Sequence, residues 1–251
     1  MAHTPIVSVV IPAYNSEKYI CQAVDSVYIQ KVPLELIVVD NGSEDSTLAR
    51  LAPYMERDDF HLITCRDNIG PAEARNRGTA SARGEYVAFL DSDDWWEKRK
   101  LSHQVHVMQK SGAVLCTTGR QLRDRDGNDT GRYIPVDRRI SYRTLLRHNQ
   151  INCSSVLVKR SALLEFPMEH DSDSHEDYIT WLRILRKYGD AAGINLPYLQ
   201  YRVYQGSKSG DKLKSAVMTY RAYRYAGVST PESLVHFSTY AVNGVKKYHS
   251  S

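Results

Sequence analysis

The sequence predicts an α/β fold built on a parallel sheet, and two patterns in its first hundred residues indicate this. Short apolar runs rich in β-branched residues alternate four times with segments of helical periodicity. Such alternation builds a parallel sheet with right-handed crossover helices. Polar turns follow three of the runs, at 12–15, 40–43 and 91–94. Because ligands bind at the carboxyl ends of parallel strands, the fold class also predicts a site at that edge.

Each strand of this first half is an apolar run that ends at turn-forming residues. Pro12 stops the first ladder, and Asn15 or Ser16 is expected to cap the helix that follows. Pro71 suits the first turn of the third helix, and Gly84 closes it. The predicted strands cover 6–11, 34–39, 60–65 and 86–90, and the predicted helices cover 16–29, about 46–55, and 71–82.

The second half alternates less regularly. The polar stretch 123–132 contains two glycines, which predicts a hairpin tip or a mobile loop. An amphipathic helix begins in the acidic segment 169–177 and ends at Gly189. The other predicted strands are 113–118, 153–158 and 198–204, and the other predicted helices are about 97–109, 141–148, 161–164, 211–225 and 231–248.

Composition argues against several classes of protein. The hydrophobic fraction of 42% and charged fraction of 25% are typical of a soluble globular domain. No apolar stretch approaches the roughly 20 residues that span a bilayer, and no secretory signal is expected at the start. The four cysteines form no Cys-x-x-Cys pair, which argues against a zinc site or a disulfide framework. We therefore expect a reducing, cytoplasmic compartment, with any membrane contact peripheral.

The charge distribution is uneven along the chain. The formal net charge of +4 is too small to indicate nucleic-acid binding by itself. Residues 198–251 contain eight Lys or Arg against two acids, so the positive charge belongs to the C-terminal segment. This segment includes 219–225, where arginines alternate with tyrosines. RNA binding, contact with anionic lipid headgroups and an ordinary solvated helix all remain open for it, and we favour lipid contact over RNA.

An acidic turn follows the fourth predicted strand. Asp91, Asp93 and Asp94 lie within four residues, beside an apolar run whose burial makes uncompensated carboxylates costly. Mg²⁺ or Mn²⁺ accepts carboxylate oxygens and leaves positions for phosphate oxygens. This predicts a metal–diphosphate site at Asp91 and Asp93. The alternative is an acidic turn that caps the next helix, with Asp93 or Asp94 as the N-cap.

Two familiar phosphate-binding loops are absent from the sequence. The turn after the first strand is Pro-Ala-Tyr-Asn and lacks the Gly-x-Gly-x-x-Gly pattern of dinucleotide oxidoreductases. No Gly-x-x-x-x-Gly-Lys-Ser/Thr occurs, which disfavours P-loop phosphotransferases. Neutralisation of a phosphate would therefore fall to a metal ion.

A second acidic cluster precedes the amphipathic helix. Glu176 and Asp177 stand where that helix begins, so they can be directed into a cleft. A carboxylate within hydrogen-bond distance of an alcohol can act as its general base. The alternative is that Asp177 is a helix N-terminal charge favoured by the helix dipole.

Five motifs together resemble the inverting family 2 glycosyltransferases of the GT-A fold. They occur in the family's order and near its spacings, cover about 8–209, and are most similar to bacterial enzymes of O-antigen, capsule or exopolysaccharide assembly. The motifs are SVVIPAYN at 8–15, VVDNGSEDST at 38–47, NIGPAEARNRG at 68–78, YVAFLDSDDWW at 86–96 and HEDYITWLRIL at 175–185.

The resemblance implies a role for each matching position. The donor would be a UDP-sugar and the cofactor Mn²⁺ or Mg²⁺, with inversion of the anomeric centre in one displacement. Asp93 would bind the metal, with Asp91 beside it, and Asp177 would be the base, with Glu176 placing the acceptor. The nucleotide and donor sugar would contact Pro12, Ala13, Tyr14, Asn15, Asp40, Asn68, Gly70, Arg75, Asp91 and Ser92.

One position departs from the family's pattern. The family often has Tyr-Arg-x-His near its C-terminal strand, whereas Tyr204 stands here where the histidine is expected. A neutral phenol is a poor metal ligand because its pKa lies near 10. We therefore expect the metal to be held by fewer protein groups. Arg202, Lys208 or the hydroxyl of Tyr204 is the candidate ligand of the diphosphate.

Several further residues are candidates for the acceptor site. Trp95 and Trp96 are equally consistent with a sugar platform and with core packing, whereas Trp181 has the helical phase of a core residue. Asn152 and Ser154 are weaker candidates for lining the acceptor pocket.

These observations predict a UDP-sugar-dependent glycosyltransferase acting on a saccharide or lipid-linked saccharide. The expected organisation is a GT-A domain at 1–209, with a nucleotide-binding half at 1–96 and an acceptor half at 97–209, and a helical extension at 210–251. A sugar nucleotidyltransferase is the first alternative, although it usually has a glycine-rich loop after strand one. A non-catalytic nucleotide-binding assembly protein is the second.

Overall fold

The computed structural model describes residues 4–169, 175–203, 212–231, 233 and 237. In this part of the chain, one mixed sheet lies between two layers of helices. The strands are β1 (Val7–Ala13), β2 (Leu34–Asp40), β3 (Phe60–Thr64), β4 (Tyr86–Phe89), β5 (Trp95–Trp96), β6 (Leu115–Arg123), β7 (Asp129–Ile134), β8 (Arg139–Ile140), β9 (Leu157–Lys159) and β10 (Ala191–Arg202). The helices are α1 (Ile20–Tyr28), α2 (Thr47–Leu51), α3 (Gly70–Ser81), α4 (Lys100–Ser111), α5 (Tyr142–Arg147), α6 (Arg160–Glu165), α7 (Glu176–Tyr188) and α8 (Lys212–Tyr225).

The strand order is β3-β2-β1-β4-β9-β6-β10-β5, with β7 paired to β6 and β8 to β10. The first four strands are parallel, as the sequence predicts. β9 runs antiparallel to β4 and β6, so the sheet becomes mixed at its centre. The carboxyl ends of β1, β2 and β4 therefore lie side by side at one edge.

The two faces of the sheet bury different residues because side chains alternate along each strand. Val9 and Ile11 of β1 face the layer of α1, α2 and α4, whereas Val10 faces α3 and α5–α8. Trp181 of α7 is fully buried in the second layer with its ring 6.4 Å from that of Phe89, which confirms its core assignment. α8 packs on α7, where the rings of Tyr178 and Tyr223 are 6.2 Å apart.

Several predicted boundaries are wrong, each for a local reason. Helix α1 begins at Ile20 with no side-chain cap, because the side chains of Asn15 and Ser16 bond across the loops, Asn15 Oδ1 accepting from the N–H of Glu44 and Ser16 Oγ pairing with Ser92 Oγ. The predicted strand at 153–158 is a 3₁₀ turn followed by the short β9, since the side chain of Asn152 accepts from the N–H of Ser154 and caps the turn. Neither Asp93 nor Asp94 caps a helix, because α4 begins at Lys100.

The second half of the chain contains more strand than the sequence indicates. Residues 123–132 include the tip of a β6–β7 hairpin, as predicted, but both flanking strands extend into them. β10 starts at Ala191, although 191–197 contains Gly193 and Pro197, and its register shifts between Ile194 and Leu199. In the part of the chain described above, no helix is long and apolar enough to cross a membrane.

Candidate functional site

A cleft of about 450 Å³ opens at the carboxyl ends of β1, β2 and β4, where the fold class predicts a site. Its lining combines residues from the first half of the chain with residues from α7 and β10. The residues that line it are Pro12, Ala13, Tyr14, Asn41, Asn68, Pro71, Arg75, Asp91, Ser92, Asp93, Glu176, Tyr201 and Arg202.

Side-chain hydrogen bonds join the loops that build this edge. The hydroxyls of Ser16 and Ser92 are 2.7 Å apart, which connects the loops after β1 and β4. The amide of Asn41 donates to Asn68 Oδ1 at 2.8 Å and its Oδ1 accepts from the N–H of Ile69, which connects the loops after β2 and β3. The four loops are therefore fixed relative to one another before any ligand binds.

Arg75 links the two acidic clusters. Its Nη2 lies 2.6 Å from Asp91 Oδ1 and its Nη1 lies 3.3 Å from Glu176 Oε1. The side chain of Arg75 is only 7% exposed, so water screens these ion pairs weakly. Helix α3 therefore brings a cation from the middle of the chain between carboxylates that are 85 positions apart in the sequence.

Asp177 lies beside this ion-pair cluster. Burial raises the pKa of Asp177, Glu176 raises it further, and His175 and Arg75 act in the opposite direction. The N–H of Tyr178 donates to Asp177 Oδ1 at 2.8 Å, which fixes the carboxylate at the start of α7. A carboxylate with a raised pKa and a defined orientation is suited to accept a proton.

The carboxylates of the acidic loop after β4 lie in two environments, some at the cleft and one in the core. Asp91 and Asp93 line the cleft, whereas Asp94 is 1% exposed and its Oδ1 accepts from the N–H of Arg202 at 2.9 Å. Burial, with Asp93 and Asp91 nearby, raises the pKa of Asp94 well above its ordinary value. Asp91 and Asp93 thus place negative charge at the cleft that a cation would compensate.

Several predicted site residues, among them Asp177, lie outside the lining of the cleft. Asn15 lines a second depression, of about 660 Å³. Asp40 is 2% exposed, and its Oδ1 is buried without a hydrogen-bond partner in the described structure. Gly70 starts α3 with φ of +81° and does not line the cleft. Tyr204 and Lys208 lie outside the described residues.

The acceptor assignments made from sequence are partly wrong. Trp96 is 1% exposed and its Nε1 donates to the carbonyl of Ser154, so it packs in the core and cannot stack on a sugar. Ser154 is fully buried and its Oγ accepts from the N–H of Asp91, so it supports the acidic loop from below. Asn152 caps the adjacent 3₁₀ turn. Trp95 is partly exposed, with the guanidinium of Arg202 4.7 Å from its ring centroid.

Sequence reasoning missed three residues of the lining. Asn41 and Pro71 lie inside two of the five motifs, next to the predicted site residues Asp40 and Gly70. Their positions in these motifs could have identified them. Tyr201 precedes Arg202 at the end of β10, and only the pairing of β10 with β6 and β5 brings it to the cleft.

The sequence profile described as "Glycosyl transferase family 2" matches residues 8–166 of the chain. The match covers more than half of the 251 residues. The chain is a family 2 glycosyltransferase. The family predicted from the five motifs is thereby confirmed, and so is the expectation that the protein is an enzyme.

Two relatives match this glycosyltransferase over almost their whole length. One, named "Putative teichuronic acid biosynthesis glycosyltransferase TuaG", from Bacillus subtilis (strain 168), is 35% identical over 246 residues, covering 97% of each chain. The other, from Escherichia coli, is named "UDP-Glc:alpha-D-GlcNAc-diphosphoundecaprenol beta-1,3-glucosyltransferase WfaP". It is 32% identical over 248 residues, covering 97% of this chain and 95% of its own.

Solved structures confirm the GT-A fold of this glycosyltransferase. TarS 1-349 from S. aureus in complex with UDP-GlcNAc superimposes with a TM-score of 0.71 at 20% identity, covering 98% of this chain and 73% of that one. The mannosyltransferase PcManGT from Pyrobaculum calidifontis, in complex with GDP-Man and Mn²⁺, gives a TM-score of 0.65 at 20% identity. That match covers 99% of this chain and 77% of the other.

Proposed function

We propose that this enzyme transfers a sugar from a UDP-sugar to an acceptor hydroxyl in the assembly of a bacterial surface polysaccharide. The observation that carries the proposal is the meeting of both acidic clusters at one cleft, with Arg75 between Asp91 and Glu176. The donor class is supported by a relative named for UDP-Glc and by a structural neighbour in complex with UDP-GlcNAc. An acceptor carried on a lipid diphosphate is supported by the name of the same relative.

The nucleotide half of the proposed reaction uses the loops after β1, β2 and β3. Tyr14 is 45% exposed at the cleft and offers an aromatic face to a base. Asn41 and Asn68 line the same wall, and the buried Oδ1 of Asp40 has the character of an acceptor for a base N–H. We assign nucleotide binding to Pro12, Ala13, Tyr14, Asn41, Asn68 and Arg75.

A divalent cation fits the acidic loop. Asp93 lines the cleft with hard carboxylate oxygens, and Asp91 lies beside it in contact with Arg75. Within the described residues, no group of three or more His, Cys, Asp or Glu side chains is arranged to hold a metal. Asp93 and Asp91 would therefore hold Mn²⁺ or Mg²⁺ together with oxygens of the donor. When bound, the ion supplies positive charge that stabilises the diphosphate leaving group.

We assign the proton transfer to Asp177. Its carboxylate takes the proton of the acceptor hydroxyl while that oxygen attacks the anomeric carbon, and the bond to the diphosphate oxygen breaks in the same displacement. Glu176 lines the cleft and orients the acceptor. One displacement from the face opposite the leaving group inverts the anomeric centre.

The Asp177→Asn variant tests this assignment. We expect its UDP affinity to stay near that of the wild type while turnover falls about 10²–10⁴-fold, because the amide cannot accept the proton. The measurement is Mn²⁺-dependent release of the nucleoside diphosphate from UDP-, GDP- and dTDP-sugars, repeated with EDTA. In a parallel assay with UTP and a sugar 1-phosphate, release of pyrophosphate would indicate a nucleotidyltransferase.

The matched control is Asp190→Asn, which makes the same chemical change in a residue that pairs with Arg139 away from the cleft. It should retain wild-type turnover. Near-normal turnover of Asp177→Asn would remove this residue from the role of base. Absence of any metal-dependent hydrolysis with every donor would favour a non-catalytic binding protein.

A further inference from the structure

Arg202 is the last residue of β10 and lies beside the cleft. Most N–H donors of its guanidinium are bound to other groups of the protein. The residue is 4% exposed. Its Nη1 donates to the carbonyl of Asp93, its Nη2 donates to Gln22 Oε1 at 2.9 Å, and its Nε donates to the carbonyl of Arg125 at 3.2 Å. Three of the five N–H donors of the guanidinium are therefore bound to three separate segments of the chain.

Aromatic rings enclose the same guanidinium. It lies 4.1 Å from the ring centroid of Tyr19 and 4.7 Å from that of Trp95. The hydroxyl of Tyr19 also donates to the carbonyl of Arg125, so Tyr19 and Arg202 share one acceptor on the hairpin tip. A planar cation that stacks on rings while donating in its own plane is a geometry that arginine provides and lysine does not.

The hairpin tip packs directly on this group. Gly127 has φ of +92°, and a Cβ built there would lie 3.6 Å from Trp95 and 3.7 Å from Arg202 Nη2. Lys18, next to Tyr19, pairs with Asp126 of the same tip at 3.7 Å. We call Arg202, Tyr19, Gln22 and Trp95, with the carbonyls of Asp93 and Arg125, the Arg202 clamp.

We propose that Arg202 is a positioning residue that holds the Asp91–Asp94 loop and the β6–β7 hairpin tip in one arrangement at the cleft. The proposal rests on the proposed function, because the loop it fixes is the one assigned to the cation and diphosphate. It gives Arg202 a role different from the diphosphate ligand expected from the sequence. A fixed loop keeps the carboxylate of Asp93 directed to the cleft before the donor arrives, which lowers the ordering cost of binding.

Two variants distinguish a clamp from a direct ligand. Arg202→Lys keeps the positive charge that would attract a phosphate but loses the planar group and at least two of the three acceptors. Gln22→Leu removes one acceptor of the clamp at a residue that does not line the cleft. Gln121→Leu is the matched control, because the side chain of Gln121 donates to Asp129 Oδ1 within the β6–β7 hairpin, away from the clamp.

The first measurement is calorimetric titration of the full chain with UDP, with and without Mn²⁺. We expect Arg202→Lys to lower the Mn²⁺-dependent affinity at least about tenfold, and Gln22→Leu to lower it about three- to tenfold. The double variant should bind no more weakly than Arg202→Lys, because both changes break one unit. Affinity without Mn²⁺ should change less than twofold, and Gln121→Leu should match the wild type.

The second measurement is hydrogen exchange of the ligand-free protein, followed in peptides covering 91–96 and 124–128. Faster exchange in both peptides is expected for Arg202→Lys and Gln22→Leu and not for Gln121→Leu. Unchanged exchange in both variants overturns the proposal. The proposal also fails if Gln22→Leu binds UDP with wild-type affinity while Arg202→Lys binds it more weakly. If the wild type binds no UDP, the proposed function fails, and the exchange measurement still decides whether the clamp exists.

Discussion

Lys100 is a basic residue buried in the core. It starts α4, is fully buried, and its Nζ donates to Gln104 Oε1 at 2.8 Å and lies 4.0 Å from the ring centroid of Trp96. Gln104 in turn donates to the carbonyls of Cys116 and Ser155. Burial lowers the pKa of Lys100 to about 7. The amine therefore loses its charge near neutral pH, whereas in the unfolded chain it stays charged to about pH 10.

This difference predicts a pH dependence of stability. Above pH 7 the unfolded chain binds the proton that the folded protein has released, so the free energy of unfolding rises with pH, and it falls again as pH drops toward 7. Lys100→Met should remove a slope of up to about 1.4 kcal/mol per pH unit. Urea unfolding of both proteins between pH 7 and 8.5 measures it. Parallel stability curves for the two proteins would show that Lys100 stays charged in the fold.

At the scale of elements, the contact between α3 and β1 depends on a residue without a side chain. Gly78 lies on the face of α3 that meets the sheet, and a Cβ built there would be 2.3 Å from Val10 Cγ1. Arg75 lies three residues earlier on the same helix. Close approach of α3 to β1 therefore places the guanidinium of Arg75 between Asp91 and Glu176.

Gly78→Ala should consequently destabilise the protein, although alanine is the better helix former by about 1 kcal/mol. We expect a loss of about 1–3 kcal/mol in the free energy of unfolding, because the methyl group overpacks a rigid β-branched contact. The control is Ala80→Gly, the reverse substitution on the exposed face of α3. It should lower the free energy of unfolding by about 1 kcal/mol. If Gly78→Ala stabilised the protein, α3 and β1 would have to lie farther apart than they do in the structure.

At the scale of the whole molecule, opposite ends of the chain carry different charge. Seven of the eight basic residues of 198–251 follow β10 in the sequence, the exception being Arg202, and α8 exposes Val217, Arg221 and Tyr225 at a spacing of four residues. Residues four apart on a helix share one face. We propose that this face contacts anionic lipid headgroups, where a lipid-linked acceptor would be presented.

The proposal predicts salt-dependent binding to membranes. Vesicles containing phosphatidylglycerol should sediment more protein at 50 mM than at 500 mM salt, because screening weakens surface electrostatics. Arg221→Glu should reduce the bound fraction severalfold, whereas Arg50→Glu, an exposed charge on α2, should not. Equal binding at both salt concentrations would favour a solvated helix, the alternative that the sequence left open.

How much was predictable depends on the range of the interactions that decide each feature. The strands and helices of the first half follow from local periodicity. Most residues predicted for the loops after β1 and β4 line the cleft, because parallel strands end at one edge. The boundaries of β10 and β9 were wrong because pairing with β6 overrides a stretch containing Gly193 and Pro197, and because Asn152 caps a turn where an apolar run favoured a strand. Ser154 and Trp96 look like polar and aromatic site residues in sequence, yet both are buried beneath the acidic loop.

The sequence by itself determined the fold class, the edge that carries the site and the family, because these depend on periodicity and on motifs read along one strand–turn–helix unit at a time. Only the tertiary structure decided that Arg75 joins Asp91 to Glu176, that Asp94 faces the core while Asp93 lines the cleft, and that Arg202 is enclosed by Tyr19 and Trp95. The contacts of Arg75 with Glu176 and of Arg202 with Tyr19 and Trp95 each join residues about 100 positions or more apart in the chain. Their geometry depends on how the sheet and its two helical layers pack. It therefore cannot be predicted from local sequence patterns.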